Sequence, residues 1–88
     1  MNSDFTESFL KDLRAIKDRG ALRRVRELIE SVEQAQSLVE LSNIKKLKGG
    51  GHYYRVRVGD YRIGLLIEKG IVTFVRALNR KEIYRYFP

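Results

Sequence analysis

Eighty-eight residues make one small domain, here taken as residues 1–88, and leave no room for a second. With no cysteine and a single histidine, the chain has no disulfide framework, no thiolate chemistry and too few imidazoles for most histidine-based metal sites. The net charge is +7, and it is unevenly spread. Residues 1–44 hold seven Lys/Arg against eight Asp/Glu, a net of −1, whereas residues 45–88 hold eleven against three, a net of +8. A basic surface on a nearly neutral scaffold points to a nucleic acid or to an acidic protein partner. The first residues lack a basic segment followed by an apolar one, and no run of eighteen apolar residues occurs, so no membrane association and a cytoplasmic location are expected.

In chain order, Thr6 followed by Glu7 reads as a helix start, with Phe5 placed to pack on Leu10 as a hydrophobic staple. The first helix should run to about Lys17 with Phe9, Leu10, Leu13 and Ile16 as its apolar stripe. Asp18-Arg19-Gly20 is expected as a short connection in which Gly20 takes a left-handed cap. Leu22, Val25, Leu28, Ile29, Val32 and Ala35 then keep the helical period from Ala21 to about Gln36, giving an antiparallel helical hairpin. From Ser37 to Lys48 the period fails, and an irregular connection with one helical turn is expected, pinned by Leu38, Leu41, Ile44 and Leu47. Lys45, Lys46 and Lys48 lie on it as nucleic-acid-binding candidates, ahead of a flexible Gly49-Gly50-Gly51 linker. That triple glycine lacks the spacing of a phosphate loop.

Tyr53 to Ile67 reads as a β-hairpin turning at Gly59-Asp60, with a positive φ at Gly59 as a type II′ turn requires. The turn sets the register: Val58 opposite Tyr61, Arg57 opposite Arg62, Val56 opposite Ile63, Arg55 opposite Gly64. One face then carries Tyr54, Val56, Val58, Tyr61, Ile63, Leu65 and Ile67. The other carries Tyr53, Arg55, Arg57, Arg62 and Gly64, the last leaving a gap where a backbone or ligand can approach. Arg57 directly across from Arg62 costs the sheet up to about 1 kcal/mol, which a bound polyanion would offset. After a turn at Glu68-Lys69-Gly70, Ile71 to Leu78 is a third strand, and residues 79–88 form a short helical or irregular tail. The expected fold is α+β: two helices on the Val56/Ile63 face of a small antiparallel sheet, with the arginine face open.

Arg55, Arg57 and Arg62 share that open face, Arg80 follows a neighbouring strand, and Tyr84 lies four residues further on. Guanidinium groups bind phosphate bidentately and stay charged, so the set suits a phosphodiester.

Four stretches together carry a resemblance: Phe5-Thr-Glu-Ser-Phe-Leu-Lys-Asp-Leu13, Ile44-Lys-Lys-Leu-Lys-Gly49, Tyr54-Arg-Val-Arg-Val-Gly-Asp-Tyr-Arg-Ile63 and Asn79-Arg-Lys-Glu-Ile-Tyr84. In order and spacing they resemble the RelE/ParE superfamily of toxins from type II toxin-antitoxin systems. The resemblance implies a microbial-ribonuclease-like fold and, for the RelE branch, metal-independent cleavage of mRNA in the ribosome, with no cofactor and a small RelB-like antitoxin as partner. It also implies roles: Arg62 stabilising the scissile phosphate, Arg80 at the leaving group, and Tyr84 orienting or activating the nucleophile and stacking on a base. Arg55 and Arg57 fall where RelE has lysines, which removes the usual proton acceptor and leaves Tyr84, His52 or substrate-assisted routes for that task. Family members begin with a strand before the Phe-Thr element, and the four residues available here predict that strand to be very short or absent. ParE-type relatives, which inhibit DNA gyrase, and a non-catalytic RNA-binding module are the alternatives.

Overall fold

A computed structural model describes residues 1–49 and 51–88. The element order is β1 (Asn2–Phe5), α1 (Glu7–Ala15), α2 (Arg19–Gln34), β2 (Ile44–Lys46), β3 (Tyr53–Val58), β4 (Tyr61–Glu68), β5 (Ile71–Asn79) and α3 (Ile83–Tyr86), with a 3-10 turn at Leu38–Glu40. The five strands form one sheet in the order β1-β5-β4-β3-β2. All neighbours are antiparallel except β1, which runs parallel to β5. The architecture is α+β, as expected, with a larger sheet than the three strands legible in the sequence.

Thr6 caps α1 by accepting a hydrogen bond from the Phe9 N–H at 3.0 Å, and its hydroxyl donates to the Val75 carbonyl at 2.8 Å. One residue thus starts a helix and ties it to β5. Phe5 does not staple onto Leu10, which is 43% exposed; it stacks on Phe74 and Phe9 with ring centroids 5.3 and 5.9 Å away. The helix also stops at Ala15, two residues short of Lys17, with Ile16 as a buried extended cap. Gly20 is not a left-handed cap. It lies in the first turn of α2, and Asp18 is the N-cap, its carboxylate accepting from the Gly20 and Ala21 N–H groups. A short side-chain oxygen satisfying two otherwise orphaned donors outweighs the glycine's preference for punctuation.

Ala21, Val25, Val32 and the cap Ala35 turn inward from α2 onto Val56, Ile63, Leu65, Val72 and Phe74, forming the main core. The helices therefore cover the Val56/Ile63 face. The hairpin register is as predicted, and Gly59 has φ +59° while Asp60 is not among the positive-φ residues. Lys69 and Gly70 both have positive φ, closing the β4–β5 hairpin with Glu68 paired to Ile71.

Residues 37–48 depart most from expectation. The 3-10 turn is the single helical turn foreseen, but Ile44, Lys45 and Lys46 pair with Val56, Arg55 and Tyr54 as a strand. Three residues are too few for an alternation to show. β1 is short but present, held by its parallel pairing to residues 71–74 of β5. Of the glycine linker, Gly49 and Gly51 have positive φ, and Gly50 lies outside the described residues.

Candidate active site

β3 and β4 deliver Arg55, Arg57 and Arg62 to the sheet face opposite the helices, and β2 adds Lys45 beside Arg55. With Asn43 and Ile44, these four side chains line a depression of about 310 Å³. Each is placed by alternation: Ile44 pairs with buried Val56, so Lys45 shares the opposite face with Arg55. Arg62 is held further. Its Nη1 donates to the carbonyls of Gly59 and Tyr61, both at 2.9 Å, so the guanidinium is folded against the hairpin turn. Nη1 carries two of arginine's five N–H groups, and both are used here; Nε and Nη2 remain for an incoming anion.

The gap expected at Gly64 is filled by the chain itself. A Cβ built at Gly64 would meet the Phe87 ring at 2.7 Å, and Phe87 is buried there, edge-on to Tyr53 at 5.5 Å. With fully buried Ile83, it anchors α3 to the arginine side of the sheet. That anchoring sets Tyr84, whose ring lies 4.7 Å from the Arg55 guanidinium carbon. Tyr84 is 68% exposed, so beyond Arg55 its ring stays open to an incoming group.

Other sequence candidates are placed differently. Arg80 is exposed just beyond β5, where its N–H donates to the Asp60 carbonyl at 2.8 Å; it stands beside the Gly59-Asp60 turn, outside the lining of the depression. The three lysines do not form one group. Lys45 lines the depression, Lys46 pairs with Tyr54 on the helix-side register, and Lys48 is exposed beyond the strand. His52 precedes β3, about 10 Å of strand from Arg55 and about 16 Å from Arg57, too far to share a proton with that site. Among the described residues no group of three His, Cys, Asp or Glu is arranged to hold a metal ion.

Sequence reading missed two features. Arg24 of α2 reaches the hairpin turn, where its Nη1 lies 2.9 Å from the place a Gly59 Cβ would occupy. Nothing in the helical period marks Arg24, because polar positions on α2 all read as solvated. The second is Asp12 of α1, which accepts from Arg76 Nε at 2.8 Å, Arg76 Nη2 at 3.1 Å and the Ala77 N–H at 2.9 Å. The hydrogen bond to Asp12 raises the Arg76 pKa, against a smaller opposing effect of burial. Arg76 is thus engaged by Asp12, and its guanidinium carbon lies 5.5 Å from the ring of Tyr86 in α3.

A family model described as the ParE toxin of type II toxin-antitoxin system, parDE, matches residues 4–84. The chain belongs to the RelE/ParE superfamily of type II toxins. Toxin RelE3 of Methanocaldococcus jannaschii is 44% identical over 86 residues, spanning 96% of both sequences. Putative toxin RelE1 of the same organism is 30% identical over 82 residues, 92% of this chain and 90% of its own. Among solved structures, the RelB-RelE antitoxin-toxin complex from Methanococcus jannaschii contains a chain that superposes with a TM-score of 0.84 at 40% identity, covering 97% of this chain and 99% of that one. The archaeal RelE-RelB complex from Pyrococcus horikoshii, at 23% identity and a TM-score of 0.73, shares the fold. The family fold therefore extends across nearly the whole chain, the depression and α3 included. No helix among the described residues is long and apolar enough to cross a membrane.

Proposed function

We propose that this type II toxin is a ribosome-dependent mRNA endoribonuclease that blocks translation and is neutralised by a small RelB-like antitoxin. One observation carries the reading: three arginines and a lysine converge on one depression, with Tyr84 over its rim. In the reaction, the 2′-hydroxyl attacks the adjacent phosphorus and loses its proton, while the bond to the 5′-oxygen breaks and that oxygen gains one. The chain's residues must hold the phosphate, offset the charge growing on it, and move two protons. Arg62 suits the second task through its free Nε and Nη2 fork, since its other nitrogen is already fixed on the turn. Arg55 and Arg57 hold the strand, Arg80 stands toward the leaving side, and Tyr84 offers a ring on which a base stacks.

The proton acceptor, absent from the usual lysine positions, falls to Lys45. Among the side chains lining the depression it is the one of a type that can give up its proton and serve as a base; arginine cannot, and the Asn43 amide is no base. This replaces the binding role that the sequence suggested for Lys45. Lys46 and Lys48 keep that role.

The family model's ParE name supports a second reading, a toxin that acts on DNA gyrase. Purified protein added to programmed ribosomes, and separately to gyrase with supercoiled DNA, decides between them. Cleavage of A-site mRNA with gyrase unaffected is expected. Gyrase inhibition with intact mRNA would replace the nuclease reading.

A further inference from the structure

We infer that the cleft between α2 and the free end of β3 is a second nucleotide subsite, taking an unpaired base of the RNA strand next to the phosphate held by the arginines. The inference rests on the nuclease reading for its substrate and on the cleft for its chemistry. The cleft encloses about 390 Å³, within the range of ordinary ligand sites. Its lining is mixed, with half-buried Leu28 of α2 offering apolar surface above buried Leu41, Val56 and Val58. Its rim carries donors and acceptors, among them Arg24, Glu27 and Ser31 of α2. An apolar surface for the flat face and polar groups of both kinds for the edge are what an unstacked base needs.

The two depressions adjoin. The cleft lies on the helix side of the sheet and the depression on the other, and Asn43 and Arg57 line both, so a strand seated on the arginines reaches the cleft by crossing the open edge of β3. The passage exists because β2 is short: its pairing with β3 ends at Ile44 and Val56, and residues 57–59 are left without a β2 partner. Asn43, with φ +60°, turns the chain away at that point and still accepts from the Arg57 N–H at 3.3 Å. Gly59 joins the sites from the other side. Arg62 donates to its carbonyl, while Arg24 lies where its side chain would be, so one turn positions an arginine for each depression. Arg55, under Tyr84, and Arg57, at the cleft, are two residues apart, about 6.6 Å along the strand, a distance on the order of one nucleotide step. The scissile phosphate would then have one flanking base on Tyr84 and the other in the cleft. An antitoxin segment is the competing occupant. RNA is favoured because the cleft is continuous with the basic depression and its rim is mixed in charge.

The test uses unstructured, end-labelled RNA oligonucleotides with an abasic nucleotide placed at each position in turn, measured by fluorescence anisotropy on the free toxin. Wild type should bind about tenfold more weakly when the base for the cleft is missing. Ser31→Phe, which fills the cleft from an exposed helix position, should bind intact and abasic RNA alike; Arg24→Ala should show a reduced difference, and Ser31→Ala should behave as wild type. Equal binding of intact and abasic RNA by wild type overturns the subsite. So does a Ser31→Phe variant that is folded by circular dichroism yet keeps full base dependence, or that loses only antitoxin binding, which would make the cleft a protein-docking site. If wild type shows the base dependence but cleaves no mRNA on ribosomes, the subsite stands and the nuclease reading fails.

Discussion

Arg62 and Lys45 lie in the same depression but serve by different physics. Arg62 is preorganised by two backbone carbonyls, so its stabilisation of developing charge costs little rearrangement in the transition state. Arg62→Ala should lower single-turnover cleavage on saturating ribosomes by roughly a hundredfold or more, with binding weakened much less. Arg62→Lys should recover little of the rate, because an ammonium cannot hold both carbonyls and present a fork to phosphate. Lys45, as proton acceptor, contributes a group that arginine can replace in charge but not in proton transfer. Lys45→Ala and Lys45→Arg should both lower single-turnover cleavage on saturating ribosomes, with Lys45→Arg keeping the affinity; a near-normal rate in Lys45→Arg would remove lysine from the proton transfer. Arg55, Arg57 and Arg62 were legible as a group in the sequence because hairpin register and residue type suffice to place them together, whereas Arg80 and Tyr84 were candidates through their place after the next strand and the family resemblance. The part played by Lys45 was not, since it depends on a strand of three residues that only pairing with β3 creates.

Among the elements, α3 is the smallest and the one on which the site's geometry most depends. Four helical residues cannot hold themselves together. Ile83 and Phe87 do so by burying against the sheet, and Gly64 is the position that admits Phe87. Gly64→Ala should displace the ring at a cost of about 1–3 kcal/mol, read as a lower urea midpoint, and should reduce cleavage by shifting Tyr84 from Arg55. Normal activity in a destabilised Gly64→Ala protein would mean that Tyr84 does not depend on this packing. The opposite side of β5 is fixed by Asp12, which serves three donors beyond the end of β1. Asp12→Ala leaves the Ala77 N–H and a mostly buried guanidinium without their partner, and an unfolding free energy lower by about 2–3 kcal/mol is expected from denaturant titration. The raised Arg76 pKa gives stability that is complete below its ordinary value and lost only above its folded one. Across roughly pH 6 to 9 the difference between wild type and Asp12→Ala should therefore show no dependence on Arg76 titration.

At the scale of the whole molecule, Lys45, Arg55, Arg57 and Arg62 gather on one side of a two-layer fold. The helices cover one sheet face with the core, and α3 covers the other over Gly64 with Tyr84 reaching Arg55, so Arg57, Arg62 and Lys45 stay accessible beside it. A ligand bound there displaces counterions, and ribosome affinity should fall linearly on a log-log plot against salt. A Lys46→Ala, Lys48→Ala double variant should flatten that slope while cleaving at a near-normal rate once bound. An acidic segment of the antitoxin would compete for the same donors, and the toxin-antitoxin complex should weaken with salt in parallel.

By itself the sequence determined the two helices, the β3–β4 register and the grouping of Arg55, Arg57 and Arg62, because each follows from local periodicity and one two-residue turn. The α+β class followed from the same signals. Tertiary structure decided what rests on contacts between distant segments. β1 and β2 are too short to carry a pattern, and exist through the edges of β5 and β3. Gly64 read as an opening for a ligand, but a sequence cannot say which ring from 23 positions later will occupy it. Arg24 read as one more solvated helix charge, and only the fold carries α2 across the hairpin so that a guanidinium meets Gly59. Local pattern specifies which face a side chain takes; what stands opposite that face is settled by chain segments whose separation in sequence holds no period to read.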